Sequence, residues 1–98
     1  MTFCLRFLPN VEEQLRTLKY DPALLKRHKA VIKALGNLQE NPRHPGLKVH
    51  PFTSMSGPNG EKIWEAYAEN NTPGAYRIFF FYGPETGMIS IISIMPHP

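Results

Sequence analysis

Apolar residues recur along this chain in two rhythms, and the change from one to the other separates its helical part from its strands. At the start Phe3, Leu5 and Phe7 alternate with Cys4, Arg6 and Leu8, so the spacing predicts a strand with one better-buried face, ended by Pro9. Val11, Leu15 and Leu18 then recur at helical spacing and predict a first helix over 10–19, with Asn10 and Glu13 as its capping pair. Asp21-Pro22 is a second start signal: the carboxylate can accept orphan amide hydrogens, and proline lacks the amide that this position would waste. A longer helix over 22–40 follows. Its apolar stripe is Leu24, His28, Val31, Ile32, Leu35 and Leu38, and Lys26, Arg27, Lys29 and Lys33 take the other face. Asn41-Pro42 and Pro45-Gly46 stop it.

Beyond that point the pattern alternates. Residues 47–52 form a short candidate strand, weakened by Pro51, and 62–69 form a better one after the turn Gly57-Pro58-Asn59-Gly60. Residues 75–82 and 88–95 are rich in aromatic and β-branched side chains and are separated by Gly83-Pro84-Glu85-Thr86-Gly87, which predicts neighbouring strands. The order is β-α-α-β-β-β-β, an α+β domain with two N-terminal helices packed on one face of a mostly antiparallel sheet. With 98 residues, 42% of them apolar, residues 1–98 are expected to build one core and one domain.

Two-residue periodicity sorts the strand side chains. Trp64, Ala66 and Ala68, with Tyr76, Ile78, Phe80 and Tyr82, suit the face that meets the helices. Glu65 and Tyr67, with Arg77, Phe79 and Phe81, fall on the other. A guanidinium anchored mid-sheet can present a fork of donors to a phosphate, although a salt bridge from Arg77 to Glu65 or Glu85 is the plainer use. His97, held between Pro96 and Pro98, can donate a proton to a leaving oxygen at neutral pH if the end of the chain folds back beside Arg77; its plainer reading is a frayed tail. Lys48, His50 and Lys62 could surround an anion held by Arg77, or simply be solvated surface. Phe79 and Phe81 should not lie bare, so RNA bases, an apolar partner helix or a strand pairing that buries both sheet faces is expected to cover them. His28, between Leu24 and Ile32, reads as a core-facing residue.

Charge narrows the partners modestly. Eleven Lys and Arg against eight Asp and Glu give +3, which favours a polyanionic partner. The single cysteine, Cys4, and an N-terminus without a basic lead before an apolar run point to the cytoplasm. The longest apolar stretch, 88–95, is too short to span a bilayer, so no membrane is expected. The four histidines, at 28, 44, 50 and 97, have neither cysteine pairs nor helical spacing, and no metal or other cofactor is expected.

Ile63-Trp64-Glu65, Ala75-Tyr76-Arg77-Ile78-Phe79, the run Ile89–Ile94 and the closing Pro96-His97-Pro98 resemble the RelE/ParE toxin superfamily over nearly the whole chain. The resemblance implies a toxin–antitoxin system in which this chain is the toxin, a ribonuclease that cuts messenger RNA, in many members on the ribosome, and is silenced by an antitoxin protein. It matches Arg77 to the phosphate-binding arginine and sets His97 where some members carry a terminal general acid. The implied reaction is metal-independent attack of a ribose 2′-hydroxyl on the adjacent phosphate. His97 is then the acid, Arg77 stabilises the charge, Glu65 is the base, and Lys48, His50, Lys62 and Tyr67 contact RNA. Phe79 and Phe81 lie where the antitoxin is expected to cover the sheet.

The departures have consequences. Ribosome-dependent members commonly place two lysines on the middle strand where Glu65 and Tyr67 stand here, and the C-terminal helix of some members is missing. ParE-like members inhibit DNA gyrase by protein binding without cutting RNA, and a catalytically degenerate RNA-binding protein is a further alternative; fold alone does not separate these.

Overall fold

The first strand, β1 (Cys4–Phe7), lies beside the last, and everything between them in sequence is wound around that pairing. In the computed structural model, which describes residues 2–96, α1 (Pro9–Tyr20) and α2 (Leu25–Glu40) follow β1, and then come β2 (His50–Ser56), β3 (Lys62–Tyr67), β4 (Tyr76–Tyr82) and β5 (Met88–Pro96). The sheet order is β1-β5-β4-β3-β2. β1 runs parallel to β5, from which the rest of the chain separates it in sequence, while the consecutive strands β2 to β5 are each antiparallel to the next. The expected α+β architecture is therefore the observed one.

Helix starts depart from the predicted caps. Pro9 occupies the first turn of α1 and starts it one residue early, with Leu8 as a cap that has no side-chain hydrogen bond. Asn10 and Glu13 consequently do not form a capping pair: Asn10 donates to the Ile92 carbonyl at 2.8 Å and Glu13 pairs with Arg16. Asp21 does cap as predicted, accepting from the Ala23 amide at 2.9 Å, but it opens a 3-10 turn, Pro22–Leu24, ahead of α2. On α2 Val31, Ala34, Leu35 and Leu38 are buried, whereas Ile32 is 48% exposed. One residue advances a helix by about 100°, so Ile32 stands at the edge of a stripe narrower than the sequence suggested.

The second strand also shifts. Leu47 belongs to a 3-10 turn, Pro45–Leu47, and Lys48 then adopts a left-handed backbone (φ 47°), so β2 begins only at His50. Pro51 is tolerated because β2 is an edge strand.

Between helices and sheet lies the main core, built on Val11, Leu18, Leu35, Leu38, Ile78, Phe80, Ile91 and Ile94, with Trp64 and Tyr76 packed against it. The predicted helix-facing parity holds. β1 pairs with β5 only as far as Ile91, and α1 covers the edge beyond: Gln14 accepts from the Ile94 amide at 2.7 Å, while Asn10 takes the Ile92 carbonyl. The opposite sheet face has its own cover. Ile63, Phe79 and Phe81 are buried there under Phe52, Met55, Ile92 and Met95, with the Phe52 ring edge-on to Phe79 at 4.9 Å. Of the covers expected for Phe79 and Phe81, the chain itself provides the one that buries both faces.

Candidate active site

Register alone brings four chemically capable side chains to one place. On the face away from the helices His50 stands opposite Glu65, and Tyr67 opposite Arg77. Three neighbouring strands thus deliver an imidazole, a carboxylate, a phenol and a guanidinium.

Glu65 is the centre of this cluster and is 1% exposed. A buried carboxylate must be hydrogen-bonded or charge-compensated. His50 Nε2 lies 2.7 Å from its Oε1, and Arg77 Nε lies 3.7 Å from its Oε2. The other ring nitrogen of His50 is 2.7 Å from the Lys48 carbonyl, which can only accept, so Nδ1 donates there, and the contact between Nε2 and Oε1 is a hydrogen bond only with a second proton shared by the pair. The imidazole is 42% exposed and closes the Glu65 carboxylate off from the outside.

Arg77 is held almost without freedom. Only 8% exposed, it donates from Nη1 to the Glu69 carbonyl at 2.8 Å and more weakly to that of Tyr76 at 3.3 Å. Its guanidinium carbon sits 3.6 Å from the centre of the Tyr67 ring, a cation–π contact that fixes the plane of the fork. Its buried Nε has no hydrogen-bond acceptor among the described residues. An unmade hydrogen bond of this kind costs about 1–3 kcal/mol, which the 3.7 Å charge contact with Glu65 Oε2 offsets in part.

Of the cations expected around Arg77, Lys48 is close, its Nζ 5.5 Å from the Tyr67 ring. Lys62 is not: its Nζ lies 4.7 Å over Trp64, whose side chain faces the helices. Phe79 and Phe81 flank the cluster but are buried by Phe52 and its neighbours, so neither offers contact surface as the molecule stands. His97 lies outside the described residues. The strand leading to it places Met95 opposite Arg77 and Pro96 opposite Tyr76. No group of three or more His, Cys, Asp or Glu side chains suited to a metal ion occurs among the described residues, and no helix there is long and apolar enough to cross a membrane.

Two contributors were not foreseen. Glu69, whose carbonyl holds Arg77, is itself tied by Oε1 to the Tyr76 amide and to Arg27 at 3.1 Å each. Arg27 also donates to the carbonyls of Pro73 and Gly74, clamping the β3–β4 loop to α2. Forty-two positions separate Arg27 from Glu69, and only opposite charge hinted at their pairing. The His50–Glu65 bond was nearer to hand: a correctly placed β2–β3 hairpin would have set the two opposite each other.

No protein-family model matches the sequence, and no curated protein matches it. Solved structures do. The chain is similar to the archaeal RelE–RelB complex from Pyrococcus horikoshii OT3, with a TM-score of 0.62 at 16% identity over 98% of this chain and 96% of that one. It is similar to the intact E. coli RelBE toxin–antitoxin complex, with a TM-score of 0.60 at 17% identity over 98% of each chain. A mutant E. coli RelE toxin in the free state matches with a TM-score of 0.57 at 16% identity, covering 97% of this chain and 83% of that one. Likeness over nearly full length, in element order and in sheet topology, means that this chain has the RelE fold.

Proposed function

We propose that the chain is the toxin of a toxin–antitoxin pair and cuts messenger RNA at the Arg77 cluster. The observation that carries this reading is the buried guanidinium of Arg77, locked against Tyr67 with Nε lacking an acceptor among the described residues. Such a fork is preorganised for the charge that builds on a phosphoryl group in the transition state. In the reaction the ribose 2′-oxygen bonds to phosphorus while the bond to the 5′-oxygen breaks, leaving a 2′,3′-cyclic phosphate and a 5′-hydroxyl. Glu65 takes the 2′-hydroxyl proton once the ribose displaces the His50 ring from Oε1, and His97 protonates the leaving oxygen. Tyr67 supports Arg77 from below, and Lys48 meets the backbone of the incoming strand.

The antitoxin that this reading requires would seat an apolar segment over the half-buried Phe52, Met55, Ile92 and Met95 rather than on Phe79 and Phe81 themselves. The gyrase-inhibitor alternative would bind through Phe79, Phe81 and the basic helix over 22–40, and of these the two rings are buried.

The test is induced expression followed by mapping of transcript ends. Wild type should yield cut messages, and Arg77→Ala should lower the cleavage rate by about 100-fold or more, the loss typical of one transition-state anion donor. Arrested growth with intact transcripts in wild type and His97→Ala alike would refute the nuclease assignment.

A further inference from the structure

On the helix-facing side of the sheet, the face opposite the Arg77 cluster, a cleft of about 440 Å³ opens between residues 42–49 and the strands β3 and β4 and takes no part in the chemistry above. Trp64 and Tyr82 line it, their rings edge-to-face at 5.9 Å, and Tyr82 is 45% exposed although it is a large aromatic residue. Arg43, His44 and Lys48 line it too, and Lys62 lies over Trp64. No carboxylate lines the cleft, and Arg43, Lys48 and Lys62 form no ion pair among the described residues. His44 accepts from the Gly46 amide at Nδ1 (3.1 Å), so its outer nitrogen, Nε2, bears the hydrogen and is a donor. Burial raises the Tyr82 pKa, and the nearby Arg43 charge acts in the opposite direction.

Aromatic faces interleaved with unpaired cations suit a polyanion carrying flat bases better than an apolar peptide, because each ring can stack a base while the cations hold the phosphates. Lys48 joins the two places: it lines the cleft and also approaches Tyr67, on which Arg77 rests. We propose that this cleft is a second subsite for single-stranded RNA, in which Tyr82 and Trp64 receive a base and Arg43, His44 and Lys48 hold the phosphates of a strand whose scissile bond lies at Arg77. The inference rests on the RNA-cleaving reading and adds to it a contact several residues away from the chemistry.

Trp64 is the chain's single tryptophan and reports on the cleft directly. The experiment titrates the full chain with a fluorescein-labelled, uncleavable 2′-O-methyl RNA nonamer, following both label anisotropy and Trp64 emission. Both signals should move together. Tyr82→Leu should weaken binding about tenfold, and Arg43→Ala should flatten the dependence of log Kd on log salt by about 0.7. Cleavage of a dinucleotide too short to reach the cleft should stay unchanged in Arg43→Ala. Arg43 is exposed, so this variant is expected to fold, and thermal unfolding checks that it does. Rising anisotropy with constant Trp64 emission, or an unaltered salt dependence in Arg43→Ala, overturns the subsite while leaving the nuclease reading intact. No anisotropy change at all overturns both. Quenching by an acidic peptide at lower concentration than by RNA overturns the subsite in favour of a protein ligand.

Discussion

Removing the charges of Glu65 and Arg77 singly and together would show whether the cluster is held by mutual compensation. At 3.7 Å and an effective dielectric near 20, two unit charges attract by about 4.5 kcal/mol, before the desolvation that opposes burial of each. Arg77→Met leaves a carboxylate that is 1% exposed with His50 as its remaining partner named above, and it also loses the Tyr67 stacking contact. Glu65→Leu leaves a buried guanidinium with backbone carbonyls for company. Each single change should cost about 2–4 kcal/mol, and the double variant should cost about 1–3 kcal/mol less than their sum. For a chain of this size 1 kcal/mol moves the melting temperature by about 4–8 °C, so the effect is well within reach of calorimetry. Urea unfolding at pH 7 gives the free energies, with equal m-values as the check that all four proteins unfold alike. Costs that add to within about 0.5 kcal/mol would show that the two groups do not feel each other. The cleavage assay then separates stability from chemistry: the double variant should regain stability over the expected sum and remain inactive.

Phe79→Ala should destabilise the protein by about 3–5 kcal/mol in the same unfolding experiment, because the ring is fully buried between the sheet and Phe52; a cost below about 0.5 kcal/mol would mean that it lies on the surface after all. Gln14→Leu should cost about 1–2 kcal/mol and speed hydrogen exchange at the Ile94 amide, which would lose its acceptor; unchanged exchange there would show that α1 does not seal the free edge of β5.

Much of the architecture was already legible in the residues. The aromatic and β-branched runs 75–82 and 88–95, with a Gly- and Pro-rich turn between, specify neighbouring strands, and the parity of β3 and β4 puts Trp64, Ala66, Ile78 and Phe80 toward the helices and Glu65, Tyr67 and Arg77 away from them. Side-chain parity is a local consequence of extended backbone, so it can be read without knowing the partner strand. What failed at this level depended on distant groups. Asn10 and Glu13 have the spacing of a cap, yet Pro9 already starts the helix and the Ile92 carbonyl needs a donor. That Phe79 and Phe81 need a cover was legible, but which of the expected covers they have was not, because nothing in their own strand foretells that Phe52 and Met55 pack over them.

The cluster itself divides along the same line. That an arginine, a glutamate and a tyrosine share one sheet face follows from counting residues along two strands. That Glu65 binds His50, that Tyr67 carries the guanidinium of Arg77, and that Arg27 clamps the loop whose carbonyl holds it were decided by the start of β2 and by the seating of α2. Periodicity along a chain sets the direction of a side chain, but hydrogen bonds and buried charges depend on distances between segments, and only the assembled sheet and helices set those distances.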